Sequence, residues 1–320
     1  MKSIKADLKC SVVQKIVFNK TMPGVKVNSF EPRNVPGEHL REDGVLYVND
    51  ICYGNQYPNS YLDIWYAGGE KASDRPTVIY IHGGGFIFGD KASGDPMAVS
   101  EGQVSLYAEL ARQGYNVIGM NYALAPQYRF PVQLAQVDQM LCHLVTHAEE
   151  LCLDMNRVFL GGGSAGACLS EIYGALLTND QYAKHLGITP SVEPDRIKGL
   201  ILDEAALSNR NFNEDMNAMM GCWLGADDLL SDKISMLLDP TKWIKTYIPT
   251  FINSSNQEPY FADSAEDLKS VLERIGIEYT NFYRTPEYEK LEHGYLNNLT
   301  TSPSARECFS EVKRFICKHQ

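Results

Sequence analysis

The sequence predicts an α/β fold with a central, mostly parallel sheet of eight strands and helices on both faces. Short apolar runs rich in Val, Ile and Tyr recur along the 320 residues, and segments of helical period separate them. This alternation is typical of parallel strands joined by crossover helices. The runs 78–81 and 158–160 are apolar at every position, as expected of strands buried on both faces. A chain of this length predicts one domain with an insertion.

The elements follow from these runs in chain order. We predict strands at residues 45–48, 61–66, 77–81, 116–120, 157–160, 199–202, 249–253 and 279–283. We predict helices at residues 104–113, 132–151, 165–177, 265–275 and 305–317. Two segments interrupt the alternation: residues 1–43, which pass from a helix into a Pro/Gly loop, and residues from about 205 to 247, with Met and Trp at helical spacing. We expect both to form a helical cap at the carboxyl edge of the sheet, over a catalytic domain of residues 44–320.

The composition argues against several classes of partner. The chain has 29 basic and 40 acidic residues, a formal charge of -11, and no basic cluster, which disfavours nucleic acid and anionic lipid. No apolar run approaches the roughly 18 residues that span a membrane. The eight cysteines form no CxxC or CxxH pair, so no metal site is predicted. The N-terminus lacks the continuous apolar core of a secretory signal, so we expect a cytoplasmic protein that acts on a small molecule.

A serine in a glycine-rich turn is the strongest indication of chemistry. Gly162, Ser164 and Gly166 satisfy G-x-S-x-G directly after a predicted strand and before a predicted helix. In so tight a turn the residues two positions either side of the serine must lack a Cβ, and the hydroxyl is lifted clear of the backbone. A phosphate-binding turn is the alternative, but the Lys of a P-loop is missing. We predict that Ser164 is a nucleophile.

A second glycine run, His82-Gly83-Gly84-Gly85-Phe86, follows the predicted strand 77–81. Consecutive glycines can direct successive N–H groups at one oxygen, because no side chain intervenes. With the N–H of Ala165, the residue after the serine, these groups would form an oxyanion hole.

The base is expected to follow the serine, because the chain order in hydrolases with this motif is serine, acid, histidine. His293 stands in a polar turn ahead of the last predicted helix and is the predicted base. His185 lies too near the nucleophile in sequence, and His319 lies at the terminus.

The acid is expected just beyond the predicted strand 249–253. Glu258 is close to the strand end and is favoured over Asp263, which also fits an N-cap of the following helix. Asp203, at the end of the predicted strand 199–202, is the third candidate.

Three motifs together resemble the hormone-sensitive-lipase family of α/β-hydrolases, which includes bacterial carboxylesterases and acetyl esterases. They are residues 82–86 (HGGGF), residues 121–131, similar to Y-R-L-A-P-E-x-x-F-P, and residues 162–166, similar to G-D-S-A-G. The resemblance covers about residues 60–320 and implies the α/β-hydrolase fold, no cofactor and often a homodimer. It also implies oxyanion N–H groups from Gly84, Gly85 and Ala165, and it aligns His293 with the family's H-G-F.

Departures from the family pattern fall on either side of the catalytic groups. Gly163 replaces the aspartate that usually precedes the serine, and Ala123 and Gln127 replace an arginine and a glutamate. The family's D-P-L-x-x-D appears as residues 258–263, so that Glu258 aligns with the catalytic aspartate.

The predicted function is hydrolysis of short-acyl, acetyl-like esters. Four bulky residues would close the acyl side under the cap: Phe86, Phe88, Met219 and Trp223. A serine amidase such as an arylformamidase would use the same groups. A non-catalytic receptor on this scaffold, as in plant gibberellin receptors, lacks the triad histidine, so His293 argues against that alternative.

Overall fold

A nine-stranded sheet forms the centre of the molecule in the computed structural model, which describes residues 4–94 and 105–320. The strand order is β1-β2-β3-β5-β4-β6-β7-β8-β9. The pairs β1–β2, β2–β3 and β3–β5 are antiparallel. The six strands β5, β4, β6, β7, β8 and β9 are parallel to one another. The strands are Gly37–Leu40 (β1), Leu46–Cys52 (β2), Tyr61–Tyr66 (β3), Pro76–Ile81 (β4), Asn116–Met120 (β5), Asp154–Gly163 (β6), Ile197–Asp203 (β7), Thr250–Asn253 (β8) and Tyr279–Phe282 (β9).

The predicted fold class is confirmed, with one strand more than predicted. The additional strand is β1, a four-residue edge strand of the sequence Gly-Glu-His-Leu. Three of its four residues are exposed, so it carries no alternating apolar pattern. An edge strand of this kind is visible only from its pairing with β2.

Helices cover both faces of the sheet. They are Ile4–Thr21 (α1), Leu106–Arg112 (α2), Val132–Thr146 (α3), Ala165–Thr178 (α4), Asp180–Leu186 (α5), Glu214–Leu224 (α6), Asp232–Leu238 (α7), Pro259–Ile275 (α8) and Pro303–His319 (α9). One apolar core contains side chains of α3, α4 and α8, such as Leu134 and Leu169. A second core contains side chains of α2 and α9, such as Leu110 and Phe309.

Helix α8 begins six residues earlier than predicted, and this changes the position of two candidate acids. Glu258 is the N-cap of α8 and Pro259 occupies its first turn, where a missing N–H costs nothing. Asp263 therefore lies inside the helix and is not its N-cap.

Helices α1 and α6, from the two predicted cap segments, pack against each other. Lys9 Nζ lies 2.9 Å from Asp215 Oδ1 across this contact. Arg129 holds both helices, because its guanidinium pairs with Asp7 of α1 at 2.6 Å and donates to the carbonyl oxygen of Cys222 of α6 at 2.7 Å. Within residues 4–94 and 105–320, no helix has the length and apolar character needed to span a bilayer.

Candidate active site

Ser164 sits on a strained turn between β6 and α4. Its backbone has φ 53° and ψ −113°, a conformation that an L-residue adopts only when its surroundings enforce it. A Cβ on Gly162 or Gly166 would collide with the carbonyl oxygen of Ile81, so glycine is required at both positions. The Ser164 N–H donates to the carbonyl oxygen of Asp203 at 2.7 Å, which ties the turn to the end of β7.

The glycine loop after β4 has a backbone that only glycine tolerates well. Gly84 and Gly85 have φ 98° and 56°. A Cβ on Gly84 would collide with the carbonyl oxygen of Phe88, and one on Gly85 with the sulfur of Met219. Both glycines border the same cavity as Ser164 and Ala165, the arrangement that an oxyanion hole needs.

His82 is buried beside this glycine loop and contacts it. Its ring stacks on Tyr122 with centroids 4.3 Å apart, and its Nδ1 lies 2.8 Å from the carbonyl oxygen of Gly83. Tyr122 donates its hydroxyl to the carbonyl oxygens of His82 and Gly83 at 3.0 and 3.2 Å. Burial lowers the pKa of His82 to about 4, so the ring is neutral near pH 7. With Gly83 held through its carbonyl, the following two glycines are positioned at the cavity wall.

His293 is paired with a buried carboxylate, Glu204. His293 Nδ1 lies 2.5 Å from Glu204 Oε2, and the N–H of Gly294 donates to the same oxygen at 2.7 Å. Glu204 is 1% exposed and follows β7 directly, with a positive φ of 60°. The ring of Phe261 stacks on the imidazole, with centroids 4.7 Å apart. The imidazole is therefore held at its edge by Glu204 and on its face by Phe261.

The structure differs here from the sequence prediction, which favoured Glu258. The Glu258 carboxylate accepts a hydrogen bond from the Ser255 hydroxyl at 3.0 Å, and burial raises its pKa. Asp263, which lies on α8, accepts a hydrogen bond from the side-chain amide of Asn211 at 2.6 Å. The residue against the Nδ1 of the histidine is Glu204, which is not among the three predicted acids.

Sheet order explains the difference. Strand β7 lies directly beside β6, and Gly163 is paired with Asp203 across the two strands. Strand β8, which precedes Glu258, is one strand farther from the elbow. The signal in the sequence was the pair of consecutive carboxylates, Asp203 and Glu204, at the end of a buried strand.

Asp203, the third candidate acid, has different partners. It accepts hydrogen bonds from the Tyr80 hydroxyl at 2.5 Å and from the Asn253 side chain at 2.6 Å. Burial, with the neighbouring charge of Glu204, raises the pKa of Asp203 to about 7. A Cβ on Gly163 would stand 3.2 Å from the Tyr80 hydroxyl and 3.6 Å from the Asp203 carboxylate. Glycine at 163 thus leaves the Tyr80–Asp203 pair undisturbed.

Two cavities meet at Ser164 and His293. One, of about 350 Å³, is mainly apolar and reaches under α1 and α6. The other, of about 300 Å³, has a more polar lining than the first and contains Glu204 and Tyr80 in its wall. A substrate carbonyl at Ser164 could therefore direct an apolar group one way and a polar group the other.

Of the four residues predicted to close the acyl side, three lie at the cavity. Phe86, Phe88 and Met219 border the apolar cavity. Trp223 does not: it is fully buried, stacks on Phe86 with centroids 3.6 Å apart, and donates its indole N–H to Gln133 at 2.9 Å. The indole ring of Trp223 packs on Phe86 and thereby holds the Phe86 ring at the cavity wall. Among the residues that the structure describes, no three His, Cys, Asp or Glu side chains are grouped as metal ligands.

The fold and these groups define an α/β-hydrolase, with a serine elbow, a glycine loop and a histidine–carboxylate pair at one edge of a parallel sheet. The chain belongs to the BD-FAE family, an esterase- and lipase-like family whose model matches residues 62–269. The predicted relation to α/β-hydrolase esterases is thereby confirmed.

Individual relatives are similar over part of the chain. The esterase LipC of Mycobacterium tuberculosis is 25% identical over 161 residues, 50% of this chain and 38% of the relative. An acetyl esterase of Salmonella paratyphi B is 32% identical over 115 residues, 36% of this chain and 32% of the relative. The matches thus span only about a third of the length of these relatives. The solved structure of esterase B from Lactobacillus rhamnosis, inhibited with a tributyrin phosphonate, superimposes with a TM-score of 0.69 at 18% identity, over 97% of this chain and 92% of the other.

Proposed function

We propose that this protein is a serine carboxylesterase in which Ser164 is the nucleophile, His293 the base and Glu204 the acid. One observation carries the proposal: the His293 Nδ1 lies 2.5 Å from the buried Glu204 carboxylate, in a cavity wall shared with a serine on a strained elbow. A carboxylate at Nδ1 fixes the tautomer in which Nε2 carries no proton and can accept one from the serine. It also stabilises the imidazolium once that proton has moved.

The first half of the reaction forms an acyl-enzyme. His293 Nε2 removes the hydroxyl proton of Ser164 as the oxygen attacks the ester carbonyl. The N–H groups of Gly84, Gly85 and Ala165 stabilise the resulting oxyanion, and the N-terminus of α4 adds a favourable dipole. His293 then gives its proton to the leaving alcohol. In the second half a water, deprotonated by His293, releases the acid.

The apolar cavity is proposed to take a short acyl chain. Its volume of about 350 Å³ is bounded at the glycine loop by Phe88 and on the far side by Cys10 and Val13 of α1. Met216 and Met219 of α6 complete the wall. Two relatives agree with this choice in their own names, an acetyl esterase and an esterase inhibited with a tributyrin phosphonate.

Hydrolysis of p-nitrophenyl acetate, butyrate and octanoate by the purified chain tests this function, with Ser164→Ala as the control. We expect rates that fall with chain length and a loss of at least about 10³-fold in the variant, because the remaining groups cannot form an acyl-enzyme. Equal rates in both proteins, or none in either, would reject the enzyme and favour ligand binding on the scaffold. Faster octanoate turnover would reject the short acyl chain, and faster cleavage of a matched anilide would favour an amidase.

A further inference from the structure

Two buried thiols face each other where α1 contacts α6. Cys10 of α1 is 2% exposed, and Cys222 of α6 is fully buried. The Cys10 thiol donates a hydrogen bond to the carbonyl oxygen of Ala218, one helical turn before Cys222 on α6, at 3.5 Å. Within an α-helix the carbonyl oxygen of residue 218 faces the N–H of residue 222, so the Cys10 sulfur lies beside the backbone of Cys222. The two thiols are therefore neighbours across the contact, as a disulfide between these helices requires.

The surroundings make the two thiols unequal. Hydrogen bonding with Cys222 lowers the pKa of Cys10, and this effect, with the positive charges of Lys9 and Arg129, outweighs burial and the negative charge of Asp7, which raise it. The same hydrogen bond, together with burial, raises the pKa of Cys222. Arg129 is held in place by its ion pair with Asp7 and its bond to the Cys222 carbonyl. One reactive thiol beside one that reacts second is the arrangement of redox-sensing cysteine pairs.

Cys10 is also reachable through the substrate cavity. It lies in the wall of the apolar cavity of about 350 Å³ that Ser164 and His293 border on the other side. A small neutral oxidant that enters this cavity therefore meets Cys10 before Cys222.

We propose that Cys10 and Cys222 are a redox pair that hydrogen peroxide closes into a disulfide joining α1 to α6. The Cys10 thiolate attacks one peroxide oxygen, the O–O bond breaks, and the departing hydroxide takes a proton, giving a sulfenic acid and water. The Cys222 sulfur then attacks the Cys10 sulfur and displaces its hydroxyl group as a second water. One peroxide is reduced to two waters while two thiols are oxidised to one disulfide. A dithiol reductant restores both thiols by exchange.

The test uses the full chain treated with hydrogen peroxide, then blocked, digested without reductant and mapped by mass spectrometry. We expect a peptide linking Cys10 to Cys222, lighter by two hydrogen atoms than the sum of its parts and absent after dithiothreitol. Cys142→Ser, which removes an exposed thiol, should leave this linked peptide in place. In Cys222→Ser the sulfenic acid has no partner, so dimedone should label Cys10 more strongly than in the wild type.

Absence of the linked peptide from the treated wild type, at peroxide doses that oxidise the exposed Cys142, would overturn the proposal. Linkage of Cys10 mainly to another cysteine would do the same. The wild-type measurement requires no variant to fold, and it is independent of ester hydrolysis, so it separates this proposal from the proposed enzymatic function.

Discussion

Two glutamates lie near the imidazole of His293, and their environments differ. Glu204 is buried, and its Oε2 receives the Gly294 N–H as well as the imidazole edge. Glu258 is half-buried, and the Ser255 hydroxyl is its hydrogen-bond donor. Two N–H groups that converge on one oxygen hold a carboxylate in a single orientation, which a general base needs from its partner. The position of Glu204 thus favours it as the acid of the triad.

Replacing each glutamate by glutamine distinguishes them. Glu204→Gln should lower kcat for p-nitrophenyl acetate by about 10³- to 10⁴-fold, because an amide neither fixes the tautomer nor stabilises the imidazolium. Glu258→Gln, the same chemical change at the other glutamate, should lower kcat by less than about tenfold. The measurement is steady-state kinetics, with circular dichroism to show that both variants are folded. The opposite order of effects would return the acid role to Glu258.

Local sequence patterns predict some residues of the candidate site but not all of them. Ser164 and the glycine loop can be predicted from the sequence, because both turns require glycine at fixed positions for steric reasons. His293 follows from chain order. Glu204 does not, because its proximity to His293 arises from the order of β6, β7 and β8 across the sheet, which local sequence does not encode. Trp223 was misplaced for a similar reason, since helical spacing does not tell which face of α6 meets the cavity.

Element boundaries show the same limit. Strands β3 and β5 match their predicted bounds, because both are short runs rich in aliphatic and aromatic residues, with Asp63 the one charged residue in β3 and Asn116 the first residue of β5. Helix α5 is not among the predicted helices, and α7 is predicted only as an unresolved part of the cap segment 205–247; each has seven residues, too few for a clear helical period. Their ends depend on tertiary contacts, such as the bond from the Tyr182 hydroxyl to the carbonyl oxygen of Leu237.

Helix α4, which carries the serine turn, contains a buried carboxyl group. Glu171 is 2% exposed, and burial raises its pKa to about 8, with the nearby negative charges of Asp239 and Asp267 acting in the same direction. The folded protein therefore holds a proton on Glu171 near pH 7, while the unfolded chain, with an ordinary pKa of 4.5, does not. Between about pH 4.5 and pH 8 the unfolded state binds fewer protons, so the free energy of unfolding falls as the pH rises.

Glu171→Gln should remove this contribution to the pH dependence. In the wild type Glu171 contributes a slope of up to about −1.4 kcal/mol per pH unit in that window, and the variant should lack it and be the more stable protein at pH 8. Urea denaturation of both proteins from pH 5 to pH 8 measures the difference between their free energies of unfolding. Asp203, whose pKa is also raised, contributes equally to both proteins and cancels in this difference. Glu266→Gln, on the exposed side of α8, is the control and should follow the wild type. Parallel curves for Glu171→Gln and the wild type would contradict the assignment.

At the scale of the whole molecule, a buried ion cluster joins the N-terminal segment to the sheet. Lys91 Nζ lies 3.0 Å from both Asp50 and Asp63, and all three side chains are fully buried. Arg33 pairs with Asp90 at 2.5 Å, and its backbone N–H donates to Asp50 at 3.2 Å. The cluster thus connects the segment after α1, the strands β2 and β3, and the far end of the glycine loop. Because that loop begins at His82 and ends at Lys91, its geometry depends on this anchor.

Lys91→Met should destabilise the protein by about 3–5 kcal/mol, because it leaves two buried carboxylates without their cation. The free energy of unfolding from urea denaturation at pH 7 measures this loss. Lys242→Met is the matched control: its ammonium lies 3.8 Å from Asp239 and its side chain is 40% exposed, so its removal should cost less than about 1 kcal/mol. A Lys91→Met variant as stable as this control would show that the carboxylates of Asp50 and Asp63 are compensated by other means. Since the cluster closes the glycine loop, the same variant should also lose esterase activity at temperatures where it is still folded, whereas Lys242→Met should retain it.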